Sequence, residues 1–356
     1  MIYFITYHAG SGEPFQGQIS NLTSRLEAKE IRCVYSKDSI FIKLAWSFLC
    51  VVMLNKPQGF MFLGLGYSFY DQNNIKINKK TINFSSRDTL IWMNQTAPRE
   101  LFKISNGARM IRWTDLSLDK LLTQRYSLWG VPLYLLRIRE RKLLKLCENK
   151  YTNKYYSNDI ALVNSVIVHR SISKDFLENR WERSIDVNSL AIVYIGGDHK
   201  RKRLNDIVKI MHKLNQKINT KLYIFGVKKD NLAHLNMDKN IKIYGVMSKK
   251  DIVKNILLIK AKAMINITCT VEEGAPIVML ELQSLGVVCY ALDNSGPMEY
   301  LLDYKNSASN CNEMINKISR LYLDPKKCAL LMDLSVEFGL KHSPRNIIKE
   351  LLQVSR

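Results

Sequence analysis

A run of six consecutive apolar residues, Leu190-Ala-Ile-Val-Tyr-Ile195, constrains the fold of this chain more than any other segment. A strand that is apolar at every position is buried on both faces, which is the situation of strands in a parallel sheet. The run ends at Gly196-Gly197, and a helical pattern follows over residues 204–214. Another strand pattern over 221–225 then ends at Gly226. This alternation predicts a doubly wound α/β domain.

The same alternation extends along the chain. In the second half, strands are predicted at 241–244, 263–268 and 287–292, and helices at 249–259, just after Pro297, and at 346–353. In the first half, strands are predicted at 2–7, 31–35, 60–65, 89–92 and 109–112, and helices at 18–28, 44–54, 133–149 and 159–164, with a polar loop at 71–80. The 356 residues suffice for two domains. We place them at 1–172 and 173–337, with a polar linker inside 169–188.

The stretch 273–292 predicts a loop, a short helix, a glycine stop and a buried strand. It begins Glu273-Gly-Ala-Pro-Ile-Val-Met-Leu-Glu281. Gly274 permits close backbone approach to a ligand, and Pro276 suits a first helical turn. The free amides of that turn favour an anion such as a diphosphate, and carboxylates accept hydrogen bonds from sugar hydroxyls. The pattern indicates a nucleotide-sugar site; the alternative is an ordinary amphipathic helix with two exposed glutamates.

With its neighbours Gly286 and the following strand, this stretch resembles the E-x7-E signature of retaining glycosyltransferases of family 4. The resemblance implies a GT-B fold, in which two doubly wound Rossmann-like domains face a cleft and the last helix, 338–356, crosses back to the first domain. It implies that Glu273 contacts hydroxyls of the transferred sugar and that Glu281 holds the ribose. The remaining donor-binding positions of the stretch are then Gly274, Ala275, Pro276 and Ile277.

A second segment, Gly196-Gly-Asp-His-Lys-Arg-Lys-Arg-Leu204, joins a buried strand to a helix. Glycines make the turn tight, and cations lie where a diphosphate would arrive. The segment is similar to the family's G-x-D-x-x-R-K-G, which implies that Gly196 and Gly197 approach the donor and that Arg201 and Lys202 hold its diphosphate. The chain departs from the family at Arg203, where glycine is usual. The alternatives are a solvated basic loop or a nucleic-acid patch.

Weaker likenesses add further candidates. The segment Ser295-Gly-Pro-Met-Glu299 resembles the family's G-G-x-x-E loop and adds Glu299 to the donor side. On the acceptor side, a glycine-rich loop and an Asp–Ser segment add His8, Gly10, Gly12 and Asp115.

The chain has a net charge of +21, with 53 Lys and Arg against 32 Asp and Glu. Such an excess implies an anionic partner, whether nucleic acid, membrane surface or phosphorylated substrate. Residues 129–146 interleave aromatic and aliphatic side chains with cations, which suits an anionic leaflet; the alternative is a core helix with a solvated basic face. The scattered cysteines, the missing leader and the longest apolar run of 11 residues fit a cytoplasmic protein, peripheral at most on the inner face of the membrane.

The family resemblance, together with these features, implies a retaining hexosyltransferase that acts on a nucleotide-sugar donor and a glycan or polyprenyl-linked acceptor, in lipopolysaccharide or capsule synthesis. Front-face substitution needs no metal, the chain has no Asp-x-Asp motif, and we expect no cofactor. A basic nucleic-acid-binding protein is one alternative, although no recognition motif of that kind is present. A nucleotide-sugar epimerase is another, but it would need further acid–base groups.

Overall fold

The computed structural model divides the chain into two compact units, one of residues Met1–Val168 with Glu350–Arg356, the other of His169–Lys349. The structure describes residues 1–8, 28–35, 67–71, 73, 75–78, 82–92, 109–113, 149–152, 166–167, 171–184, 187–198, 202–235, 238–270, 276–292 and 296–354.

The N-terminal unit is built on an eight-stranded sheet in the order β4-β3-β2-β1-β5-β6-β7-β8. Its strands are β1 (Ile2–His8), β2 (Lys29–Tyr35), β3 (Tyr67–Asp71), β4 (Lys76–Ile77), β5 (Thr89–Trp92), β6 (Arg109–Trp113), β7 (Asn149–Thr152) and β8 (Val166–Ile167). All neighbours are parallel except the edge pairs β2–β3 and β3–β4. Phe4, Phe69 and Leu90 are fully buried around the central strands.

The predicted strands at 2–7, 31–35, 89–92 and 109–112 are confirmed as β1, β2, β5 and β6. The predicted loop at 71–80 is partly wrong, because β4 lies within it and pairs with β3. Both belong to the edge of the sheet, where exposed polar residues such as Lys76 are normal and make a strand look like a loop. The predicted helix 133–149 falls outside the described residues except at its end, where Asn149 begins β7.

The C-terminal unit contains a six-stranded, entirely parallel sheet in the order β11-β10-β9-β12-β13-β14. Its strands are β9 (Leu190–Ile195), β10 (Thr220–Phe225), β11 (Ile241–Gly245), β12 (Ala263–Thr268), β13 (Val288–Leu292) and β14 (Ser307–Ala308). All of these except β14 were predicted, since their apolar runs are long and end in turn residues.

The described helices of this unit are α1 (Lys174–Leu177), α2 (Leu204–Asn215), α3 (Lys249–Leu257), α4 (Ile277–Ser284), α5 (Cys311–Leu323), α6 (Pro325–Lys341) and α7 (Pro344–Val354), which runs past Lys349 into the other unit. Short 3-10 helices span Lys229–Leu235, Gly296–Tyr300 and Tyr304–Asn306. The predicted helices at 204–214, 249–259 and 346–353 are confirmed as α2, α3 and α7, and the helix after Pro297 is a 3-10 helix.

Two features of this unit were not predicted. The pair α5–α6 fills residues 311–341, and the segment read as a polar linker carries α1 and several buried side chains. Trp181 is 1% exposed, and its Nε1 donates a hydrogen bond to the Ile259 carbonyl at 2.8 Å. This segment is therefore a structural part of the C-terminal unit.

Candidate functional site

The sheet of the C-terminal unit reverses its strand order between β9 and β12. From β9 the chain proceeds through α2 to β10 on one side, and from β12 through α4 to β13 on the other. Ligands of open α/β sheets bind outside the carboxyl ends of the strands at such a switch point. The two segments singled out in the sequence, 196–204 and 273–281, follow these two strands.

The two strands separate at their carboxyl ends. Their pairing stops at Ile265 opposite Ile192, although β9 continues to Ile195 and β12 to Thr268. Beyond that point β9 stays paired with β10, and β12 with β13. The buried side chain of Asn266 spans the gap and donates from Nδ2 to the Val193 carbonyl at 2.8 Å. The sheet therefore forks where a ligand of this fold class would bind.

The glycine loop after β9 is hydrogen-bonded to β9 itself and lies against the end of β10. Tyr194 Oη donates to the Gly197 carbonyl at 2.6 Å, and a Cβ at Gly196 would lie 3.1 Å from that hydroxyl oxygen. Gly226, at the end of β10, has a φ of +86°, and a Cβ there would lie 3.0 Å from the Gly196 carbonyl oxygen. Glycine at both positions lets two strand ends come together beneath the loop.

Arg203, at the basic end of this segment, has a left-handed backbone conformation. Arg203 precedes α2 with φ 51° and ψ 42°, the left-handed conformation that favours glycine. Its Nε and Nη2 both lie 2.7 Å from Asp206 Oδ2 in the first turn of α2. The departure from the family pattern therefore concerns the side chain, while the backbone has the conformation that glycine would adopt. Lys202 is half-buried directly before it.

The other strand of the fork, β12, is followed by helix α4. The sequence predicted a short helix here with Pro276 in its first turn; the helix is confirmed as α4, but Pro276 is its buried N-cap and the helix begins one residue later, at Ile277. The Met279 amide donates to the Pro276 carbonyl at 2.9 Å. A proline side chain cannot accept a hydrogen bond, so it leaves the amides of Ile277 and Val278 available to an anion. At the other end Gly286 stops the helix with a φ of +89°.

Glu281 is almost completely buried in α4, with 2% of its surface exposed. Its Oε1 lies 2.5 Å from Lys249 Nζ and 3.4 Å from the Ser173 amide. Burial raises the pKa of the Glu281 carboxyl, and the Lys249 ammonium, the Lys249 hydrogen bond and the Ser173 amide act in the opposite direction. The alternative of two exposed glutamates is therefore wrong for Glu281.

The 3-10 helix Gly296–Tyr300, which carries Glu299, is tied to α4. The buried Gln283 donates from Nε2 to the Tyr300 carbonyl at 2.8 Å and to the Met279 carbonyl at 3.2 Å. Gln283, two residues after Glu281 in α4, thus holds the backbone of the turn that carries Glu299. The Glu299 side chain lies outside the described part of the structure.

Several predicted site residues fall outside the described ranges, and their assignments stay predictions. They are Arg201, Glu273, Gly274, Ala275, Gly10, Gly12 and Asp115, together with the segment 129–146. His8 is the last residue of β1, but its side chain is not among those described.

Lys249, Tyr194 and Asn266 were missed by sequence reasoning. Lys249 reaches Glu281 from another helix, 32 residues away in the chain, so no local pattern reveals it. In the sequence, Tyr194 is one more apolar residue of its strand. The only signal for Asn266 was an amide inside an otherwise apolar strand, which requires a buried hydrogen-bond partner.

The described residues include no group of three or more His, Cys, Asp or Glu arranged to hold a metal ion. In the same part of the chain, every helix is too short or too polar to cross a bilayer.

Residues 175–332, somewhat less than half of the chain, match the model of the family described as glycosyl transferases group 1. No curated protein matches the chain in sequence. Among solved structures, TarM from S. aureus is 16% identical, with a TM-score of 0.59 over 80% of this chain; the chain covers only 60% of that structure's length.

Two other solved structures match nearly end to end. The lipopolysaccharide outer core galactosyltransferase WaaB is 15% identical, with a TM-score of 0.61, over 98% of this chain and 97% of that one. HepE of Anabaena, in complex with UDP and glucose, is 10% identical, with a TM-score of 0.63, over 99% and 98%. These likenesses confirm the α/β GT-B fold, and the C-terminal unit resembles a glycosyl transferases group 1 domain.

Proposed function

We propose that the chain is a retaining glycosyltransferase of family 4 that moves a hexose from a nucleotide-sugar donor to a glycan or polyprenyl-linked acceptor. The observation that carries the proposal is the fork between β9 and β12. A tight glycine loop with Lys202 follows one prong, and a helix N-terminus with an internal carboxylate follows the other.

The diphosphate of the donor would bind between these two segments. Lys202 and Arg201 supply positive charge from one side, and the first amides of α4 supply donors from the other. During transfer, negative charge develops on the leaving diphosphate, so fixed donors stabilise the transition state more than the bound substrate. In this proposal protein groups neutralise the diphosphate, and a metal ion is not needed.

The hydroxyls of the donor would be held by carboxylates. The two hydrogen bonds that described residues donate to the Glu281 carboxylate both reach its Oε1. The described residues give its Oε2 no partner, so that oxygen can accept from a ribose hydroxyl. Glu273 would hold the transferred sugar, as the family resemblance implies.

The reaction proposed is a substitution on one face of the sugar. The acceptor hydroxyl oxygen bonds to the anomeric carbon while the bond from that carbon to the phosphate oxygen breaks on the same side. The hydroxyl proton passes to the departing phosphate oxygen, and the configuration is retained. The residues of the pocket act by binding and charge stabilisation, and none forms a covalent bond.

The acceptor and the cellular location are proposed from the solved structures that the chain resembles and from residues 129–146. WaaB is a lipopolysaccharide galactosyltransferase and HepE was solved with UDP, which makes UDP-hexoses the first donors to try and a bacterial surface polysaccharide the proposed product. A lipid-linked acceptor would suit a cytoplasmic enzyme that meets the anionic inner leaflet through residues 129–146.

A thermal-shift screen tests the donor site. UDP, GDP, ADP, CMP and their sugars are added to the pure protein in the presence of EDTA. One nucleoside diphosphate should raise Tm, and Lys202→Ala should weaken its binding by about 10- to 100-fold, the cost of one hydrogen bond to a charged group.

Lys217 provides the matched control. It is an exposed lysine beyond the far end of α2, and this helix, which is about 18 Å long, lies between it and Lys202. Lys217→Ala should bind the nucleotide as the wild type does. A Tm that no nucleotide moves, or an equal loss in both variants, would refute the assigned site. Salt-sensitive binding of DNA or RNA in place of nucleotides would favour the nucleic-acid alternative.

A further inference from the structure

Glu281 lies where three helices of the C-terminal unit meet. It belongs to α4, Lys249 reaches it from the first turn of α3, and the Ser173 amide reaches it from the N-cap of α1. Only 3% of the Glu281 side chain is exposed, against 38% of the Lys249 side chain. The carboxylate is thus buried, while the lysine that neutralises it keeps contact with water.

The two oxygens of this carboxylate are in different environments. Oε1 accepts hydrogen bonds from both the Lys249 ammonium and the Ser173 amide. Among the described residues, none donates a hydrogen bond to Oε2. A carboxylate fixed through one oxygen presents the other at a defined position, which is the requirement for orienting a ligand hydroxyl.

The position of Lys249 is unfavourable for its own helix. It is the first residue of α3, directly after the Ser248 cap. Cations at a helix N-terminus oppose the helix dipole, whereas the nearby Asp251 complements it. A lysine at this position is therefore not explained by the stability of α3, and its contact with Glu281 offers another reason.

Without Lys249 the burial of Glu281 would favour the neutral acid. Within the described ranges, the charged groups that affect Glu281 are Lys249 on α3, which lowers its pKa, and Asp175 on α1, which raises it. Burial already raises the pKa despite the lysine, so loss of the ammonium would raise it further. A neutral carboxyl accepts weaker hydrogen bonds from hydroxyls than a carboxylate does.

We propose that Lys249 is a positioning residue of the donor site, which holds Glu281 through one oxygen so that the other receives the nucleotide's ribose hydroxyls. This inference rests on the proposed function. It adds a residue outside both family segments and makes α3 a third helix that supports the site.

The test measures UDP affinity by calorimetry between pH 6 and 8.5, after the screen has identified UDP as a ligand; GDP or ADP replaces it if one of those is the nucleotide that binds. The variants are Lys249→Met, Lys249→Arg and the control Lys250→Met, which removes an exposed lysine from the adjacent position. Each result is expressed as the ratio of variant to wild-type Kd, in which the titration of the nucleotide itself cancels.

Lys249→Met should weaken binding by about tenfold or more near neutral pH, the scale of a hydrogen bond to a charged group. The loss should grow as pH falls, because more of Glu281 is protonated there. Lys249→Arg should restore most of the affinity, and Lys250→Met should match the wild type. A purely structural lysine would lower Tm without making the Kd ratio depend on pH.

If Lys249→Met does not fold, the double variant K249M/E281Q keeps the proposal testable, since a neutral glutamine needs no ion-pair partner. It should fold and bind UDP weakly, with a pH-independent Kd ratio. Wild-type affinity in Lys249→Met or in the double variant would overturn the inference alone. A wild-type protein that binds no nucleotide would overturn the proposed function and, with it, this inference.

Discussion

The left-handed backbone at Arg203 allows a quantitative prediction about the stability of the turn that precedes α2. Arg203 has φ 51° and is held by an ion pair with Asp206. Replacing it with glycine restores the residue that the family pattern has there, and replacing it with alanine provides a matched control. Both substitutions remove the ion pair, so the difference between them isolates the backbone.

The magnitude follows from three contributions. A left-handed conformation costs a residue with a Cβ about 1–2 kcal/mol, and glycine avoids this cost. Glycine also lowers the free energy of unfolding by about 0.4–1 kcal/mol, because it increases the conformational entropy of the unfolded chain. The ion pair is worth about 0.2–1 kcal/mol, since the Arg203 side chain is 40% exposed. Arg203→Gly should therefore leave stability nearly unchanged, whereas Arg203→Ala should be less stable than Arg203→Gly by about 0.5–1 kcal/mol.

The assay is thermal unfolding of the three proteins side by side. For a unit of this size, 1 kcal/mol corresponds to about 2–4 °C in Tm, so the glycine variant should melt roughly 1–4 °C above the alanine variant. Were residue 203 in an ordinary helical conformation, alanine would be the more stable by about 1 kcal/mol. An alanine variant that melts at or above the glycine variant would refute the assigned backbone.

Three further predictions concern packing and charge in the C-terminal unit. Gly226→Ala should cost about 1–2 kcal/mol in the free energy of unfolding, because its φ is +86° and the new Cβ would press on the Gly196 carbonyl; urea titration measures it. Gly339→Ala on α6 should cost about 1–3 kcal/mol or prevent folding, because Ser284 Cα would lie 2.6 Å from the new Cβ; a Tm equal to the wild type would contradict the α4–α6 contact. Glu281→Gln should change the pH dependence of unfolding: the raised pKa means that the folded wild type binds the extra proton, so its stability falls as pH rises from about 4.5 through that pKa, and the variant should lack this fall.

Sequence reasoning located the strands of the C-terminal unit because their apolar runs are unambiguous. The strand β9 begins and ends where the pattern predicted, and the glycine stop after α4 appears as Gly286 with a positive φ. The stretch 273–292 also predicted a short helix after a loop, which is α4, although Pro276 is its N-cap and does not lie in its first turn. These features depend on residues that are neighbours in the chain, which is why they could be predicted.

The remaining features depend on contacts between distant residues. The Lys249–Glu281 pair joins two helices, and the left-handed conformation of Arg203 is set by a turn that must connect β9 to α2. The edge hairpin β3–β4 looks polar because one side of it lacks a neighbouring strand. Each of these features requires the folded neighbourhood, which no local window of sequence contains.

The most direct test of the central claim is a crystal structure of the chain with UDP bound. The account predicts the diphosphate between the Gly196-Gly197 loop and the first turn of α4, with a ribose hydroxyl on Glu281 Oε2. A nucleotide bound away from the fork of β9 and β12, or one that leaves Glu281 untouched, would contradict it.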